Sequence, residues 1–145
     1  MKLVEQKSDE LKLASILLVE DCNADADFFQ AFFEGKRICN RVTRVVSYQD
    51  AWLHVQSGEK FDLLVVDIRV PGNGGLELVE QIKSFPGYNK VPTIVTSGIE
   101  TEQDVKKARS LGVVAYIVKP LSQGKWAAAI EELKEIYTGY LVRAG

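Results

Sequence analysis

The chain has 145 residues, one domain's length, with 46% hydrophobic and 26% charged side chains, the balance of an ordinary globular protein. Lys and Arg number 18 against 20 Asp and Glu, a net charge of −2, without the clustered cations that nucleic acid demands. No apolar stretch approaches the ~20 residues that span a bilayer, the charged first ten residues lack the apolar centre of a secretory signal, and two cysteines make neither a disulfide framework nor a zinc set. One cytoplasmic domain that binds neither nucleic acid nor membrane is the expectation.

Residues 1–14 read as a polar lead-in, 15–140 as the domain and 141–145 as a C-terminal tail. Four solid apolar runs follow the lead-in. Ile16–Val19 ends in Glu20-Asp21, Leu63–Val66 in Asp67, Val91–Val95 in Thr96-Ser97-Gly98, and Val113–Val118 in Lys119-Pro120. Uninterrupted runs suit strands covered on both faces, as in parallel α/β sheets. Arg41–Val46 is β-branched but half polar, which suits an edge strand.

Helical spacing fills the gaps. Phe28, Phe29, Phe32 and Phe33 predict one core-facing side of a first helix, with Asp25 and Asp27 near its start, where the helix dipole favours anions. Ala51, Trp52 and Val55 suggest a second, Leu76, Val79 and Ile82 a third. Thr101 and Asp104 have the spacing of an N-cap with an acid at N3, ahead of Val105, Ala108 and Leu111. Trp126, Ala129, Ile130, Leu133, Ile136 and Tyr137 step along a last helix. Five β-α units predict a single doubly wound α/β domain with a five-stranded parallel sheet and right-handed crossovers.

Ligands of open α/β sheets bind outside the carboxyl ends of the strands, where strand order reverses. If the first and third strands are neighbours, Glu20, Asp21 and Asp67 share a crevice, with Ser97 and Lys119 on its other side. Two unit charges about 4 Å apart repel by roughly 4 kcal/mol at an effective dielectric of 20, so such a crevice must bind a cation, hold a proton or spread. Oxygen donors without His or Cys select a hard ion such as Mg²⁺. Lys119 and Ser97 suit phosphoryl oxygens, which makes the set a phosphoryl-transfer site with a carboxylate as nucleophile. No Gly-rich Lys-Ser/Thr loop for ATP is present.

Ile16–Asp21, Asp67-Ile68-Arg69-Val70-Pro71-Gly72-Asn73-Gly74-Gly75, Thr96-Ser97-Gly98 and Lys119-Pro120, in this order, resemble the receiver domain of two-component response regulators over Ser15 to Tyr137. The resemblance implies a CheY-like, flavodoxin-like (βα)5 fold of strand order 2-1-3-4-5, the order for which that family is a standard example. It implies that Asp67 is a phosphoacceptor served by a sensor histidine kinase or histidine phosphotransfer protein. Glu20, Asp21, Asp67 and the backbone carbonyl of Arg69 would hold Mg²⁺. Ser97 would be the switch hydroxyl, Tyr116 the switch aromatic and Lys119 the phosphoryl-pairing lysine. The Lys119–Pro120 peptide would be cis, a form of about 5–6% of X-Pro bonds. Glu20 replaces the commoner Asp, Ser97 the commoner Thr, Val70 a frequent Met and Ala115 a frequent acid; none of these removes a group the chemistry needs.

The expected role is a stand-alone switch in a phosphorelay, cleaving its own acyl phosphate slowly and turning over no external substrate. A downstream protein would bind the face of the fourth helix, fifth strand and fifth helix, with a homodimer also open. A receiver-fold interaction module acting without phosphorylation is the alternative. A Mg²⁺-dependent phosphatase or flavin carrier is a third reading, the latter opposed by Glu20-Asp21-Cys22-Asn23, which would repel a phosphate. His54, with no acid expected nearby, reads as a surface or half-buried helix residue, Cys22 as loop and Cys39 as a small packed side chain. Trp126 and Tyr140, if exposed, would mark a partner surface.

Overall fold

The computed structural model describes residues 13–144, and the side chains of all of these but Asn40 and 137–144. Positions 1–12 of the expected lead-in and the Tyr137 and Tyr140 side chains therefore lie outside the described residues. In chain order the elements are β1 (Leu13–Val19), α1 (Asn23–Gly35), β2 (Cys39–Val45), α2 (Tyr48–Gln56), β3 (Leu63–Asp67), α3 (Gly75–Lys83), β4 (Thr93–Ser97), α4 (Glu102–Ser110), β5 (Ala115–Val118) and α5 (Gln123–Ala144). All strand pairs are parallel, in the order β2-β1-β3-β4-β5. The predicted fold class and strand order are the ones observed.

The solid apolar runs have a two-sided explanation. Side chains alternate across a strand, so Leu17, Val19, Leu64, Val66 and Val95 join one core with residues of α2, α3 and α4. Ile16, Leu18, Leu63, Val65 and Ile94 join the opposite core with α1 and α5. Both faces are covered, which is why polar residues are pushed to the strand ends.

Boundaries shift where hydrogen bonding overrides composition. β1 starts at Leu13, inside the expected lead-in, because the Leu13 N–H donates to the Ile38 carbonyl at 2.8 Å. β4 starts at Thr93 instead of Val91, whose N–H closes a turn onto the Tyr88 carbonyl. α5 continues to Ala144, through the segment expected as a tail. Phe29, Phe32 and Phe33 are buried, but Phe28 is exposed at the rim of the helical face, since four neighbouring positions cover a wider arc than the sheet can. Trp126 is core, 1% exposed and edge-on to Phe29 and Phe33, so it marks no partner surface. His54, contrary to expectation, does meet an acid: its Nδ1 pairs with Glu59, whose carboxyl it holds below the usual range. Thr101 caps α4 as predicted, its hydroxyl accepting the Asp104 N–H at 3.1 Å. Among the described residues no helix is long and apolar enough to cross a membrane.

Candidate functional site

The register of the sheet assembles the crevice. Val19 of β1 pairs with Val66 of β3, so the next residue of each strand, Glu20 and Asp67, emerges side by side at the carboxyl edge. The Glu20 N–H donates to the Val45 carbonyl at 3.0 Å and its own carbonyl accepts Arg44 Nε at 2.9 Å, which fixes the backbone from the β2 side. Glu20 and Asp67 are only 3% and 5% exposed, while Asp21 is exposed at the mouth. Asp67 is backed by the following helix. A Cβ on Gly75 would lie 2.4 Å from the Ile68 Cα and 2.6 Å from the Asp67 carbonyl oxygen, so only glycine lets α3 start against the end of β3. That contact is the physical reason for a glycine eight residues after the acid.

Lys119 follows β5 and its N–H donates to the Ser97 carbonyl at 2.8 Å, which aims the side chain back across the sheet edge. The Lys119–Pro120 peptide is cis. Lys119 Nζ lies 2.9 Å from Asp67 Oδ2, 3.1 Å from Glu20 Oε1 and 2.6 Å from Asp25 Oδ2. The other Asp67 oxygen, Oδ1, accepts the Arg69 N–H at 2.9 Å. Asp25 is the pocket residue that the sequence pattern does not reveal, its place at a helix start being its only signal there. Burial raises the pKa of Glu20, and its hydrogen bond and charge contact with Asp67 add to this, taking it to about 7 against the Cys22 N–H and Lys119. Burial alone would lower the Lys119 pKa, but hydrogen bonds to Asp25 and Asp67 and the Asp67 charge outweigh it and hold the ammonium above the ordinary lysine range.

Glu20, Asp21 and Asp67 each offer a carboxylate oxygen, all within 4.8 Å of one another. An oxygen-only set of this size fits a hard divalent cation, while burial first and the neighbouring Asp67 second favour the protonated form of Glu20. The Arg69 side chain points elsewhere, its guanidinium bonded to Asp104 of α4 at 2.8 Å.

On the other side of the edge, Ser97 is fully buried, and its hydroxyl is engaged with its own loop. It donates to the Ile99 carbonyl at 2.7 Å and accepts the Ile99 N–H at 3.2 Å. The Tyr116 hydroxyl donates to the same Ile99 carbonyl at 3.1 Å from half-buried β5. Burial, then, with a partly offsetting bond to Ser97, raises the Tyr116 pKa. The structure thus joins Glu20, Asp21, Asp67 and Lys119 in one pocket and ties Ser97 and Tyr116 to each other through Ile99.

The family profile described as the response regulator receiver domain matches residues 16–131. The chain belongs to that family. As a receiver it is a phosphoacceptor domain of two-component signalling, the class that interacts with histidine kinases or phosphotransfer proteins. It is 32% identical over 130 residues to the probable methanogenesis regulatory protein FilR2 of Methanothrix harundinacea, covering 86% of this chain and 84% of that one. Its fold is similar to a CheY-like receiver from Methanospirillum hungatei, with a TM-score of 0.77 at 22% identity over 89% of this chain and 99% of the other. It is likewise similar to the Mn²⁺-bound form of the response regulator Rcp1, with a TM-score of 0.69 at 23% identity over 87% and 90% of the two chains. Other curated relatives are longer, and the chain spans between 11% and 50% of their length.

Proposed function

We propose that this receiver takes a phosphoryl group on Asp67 from a phosphohistidine and uses it to change partner binding. The observation that carries the reading is the Lys119 contact with Asp67 at 2.9 Å, across 52 residues of sequence, inside a pocket whose remaining carboxylates suit a cation. In the transfer, an Asp67 carboxylate oxygen attacks phosphorus, the phosphorus–nitrogen bond breaks, and its electron pair returns to the imidazole. The product is an acyl phosphate on Asp67. Mg²⁺, held by Glu20, Asp21, Asp67 and the Arg69 carbonyl, would neutralise charge on the phosphoryl oxygens. Lys119 supplies the remaining positive charge, already aimed at the acceptor. A phosphoryl group brings roughly −2 charge and three strong acceptor oxygens. The Ser97 hydroxyl then has a better acceptor than the Ile99 carbonyl, and leaving it frees that carbonyl for Tyr116 alone.

The surface that reads this change is the face of α4, β5 and α5. β5 is an edge strand, and a groove of about 490 Å³ between it and α5 is lined by Tyr116, Val118, Lys125, Ala128 and Glu132. Ile99, whose carbonyl binds both hydroxyls, is itself a well-exposed apolar residue at that face. A partner that prefers one arrangement of this face shifts the population toward it. Cytoplasmic location and a phosphorelay donor belong to this reading, as does slow self-dephosphorylation in place of substrate turnover.

Intact mass after incubation with acetyl phosphate and Mg²⁺ tests it. One phosphate should add to the wild-type chain and none to Asp67→Asn. An unmodified wild type, or mass gained by the variant, contradicts the proposal and favours an interaction module that works without phosphorylation.

A further inference from the structure

We propose that Asp25 is a positioning residue that keeps Lys119 in the pocket when a divalent cation takes over the other carboxylates. The inference rests on the metal-binding reading above. Lys119 Nζ has three carboxylate partners, Glu20, Asp25 and Asp67, and the shortest contact, 2.6 Å, is to Asp25. Two of those three, Glu20 and Asp67, also belong to the only cluster among the described residues whose oxygens converge tightly enough for an ion, while Asp25 does not. A cation seated there competes with the ammonium for the same two carboxylates and repels it. Without another anchor, Mg²⁺ could enter only by displacing Lys119 from its pocket contacts, and the loss of those contacts would weaken metal binding. Asp25, in the first turn of α1, provides that anchor from outside the ion's reach.

The placement is built by two separate parts of the chain. α1 begins three residues after Glu20, which puts Asp25 in the first helical turn beyond the acidic pair. Lys119 arrives from β5 with its backbone N–H on the Ser97 carbonyl. The ion pair is mostly sheltered, with side-chain exposures of 18% for Lys119 and 26% for Asp25, so solvent screens it less than a surface pair. Residues joined in one ion-pair network are coupled strongly enough to change an affinity by roughly tenfold.

Mg²⁺ affinity measured by calorimetry on the full chain tests the assignment as a double-mutant cycle. Asp25→Asn should weaken Mg²⁺ binding about tenfold in the wild-type background. In a Lys119→Met background the same substitution should change it less than about twofold, because the residue through which Asp25 acts is gone. Asp27→Asn removes an equal charge from the exposed side of the same helix and should change nothing. Equal losses in both backgrounds, or equal losses for Asp25→Asn and Asp27→Asn, would show general electrostatics and overturn the inference. Asp25→Asn binding as tightly as wild type would also overturn it. A wild type that binds no Mg²⁺ refutes the metal reading itself, and the two failures are thereby told apart.

Discussion

On the β1–β3 side of the sheet edge, three acids and a lysine from distant parts of the chain are tied across strands by opposite charge. On the β4 side, Ser97 and Tyr116 satisfy their hydroxyls on a single carbonyl of the adjoining loop, that of Ile99. The first arrangement is assembled before any phosphoryl group arrives; the second is held by local bonds, each worth roughly 1 kcal/mol net. The acceptor side is therefore preorganised, and the side facing α4 and β5 is the one free to exchange partners. A switch needs both, a fixed place for the charge and a loosely held reporter of it.

The largest expected effect comes from breaking the charged side. Lys119→Met leaves Glu20, Asp25 and Asp67 without their shared cation, and the loss of one partner of a buried pair costs about 3 kcal/mol. Urea unfolding should show that loss at pH 8 and a smaller one at pH 5, where Glu20 retains its proton. A cost independent of pH would mean that packing by the lysine stem outweighs its charge.

Next comes the pH dependence of Glu20. Its folded pKa of about 7 lies above the ordinary 4.5, so the folded protein binds the proton more tightly than the unfolded chain. Stability from this group is complete below the unfolded value and is lost as pH rises through the folded one. Metal-free protein should therefore lose stability between about pH 4.5 and 7 and level off above. Lys119 is held above the lysine range and does not titrate in this window. Glu20→Gln should flatten the decline, and added Mg²⁺ should reverse it, because the ion requires the ionised carboxylate. A Glu20→Gln profile with the wild-type slope would place the proton elsewhere.

The acid and lysine pocket was largely legible in the sequence because its residues close apolar runs. A strand buried on both faces puts polar groups at its ends, and parallel pairing puts those ends together. Asp25 was not legible as a site residue, because an acid in a first helical turn has an ordinary reason to be there. Only the approach of Lys119 from 94 positions away gives it another. The strand order followed from a resemblance, whereas the two-sided core followed from composition. Phe28 went the wrong way because periodicity shows which side chains share a helix face but not how wide an arc the sheet covers, whereas Trp126 is buried with the other residues of its periodic face. The direction of the Ser97 hydroxyl depends on the Ile99 loop, whose backbone no side-chain pattern encodes.

The smallest effect belongs to the reporter side. Tyr116→Phe deletes one half-exposed hydrogen bond to Ile99 and should cost less than about 1 kcal/mol. Mg²⁺ affinity should be unchanged. A shift in that affinity would show that the two sides are coupled before phosphorylation.

The contrast itself is tested most directly by a crystal structure with Mg²⁺ and beryllofluoride, a phosphoryl mimic. The mimic should sit on Asp67, with Lys119 Nζ still in the pocket and within hydrogen-bond distance of it, and the Ser97 hydroxyl turned from Ile99 to a fluorine. Beryllofluoride absent from Asp67, or bound there with Ser97 still on the Ile99 carbonyl, would contradict it.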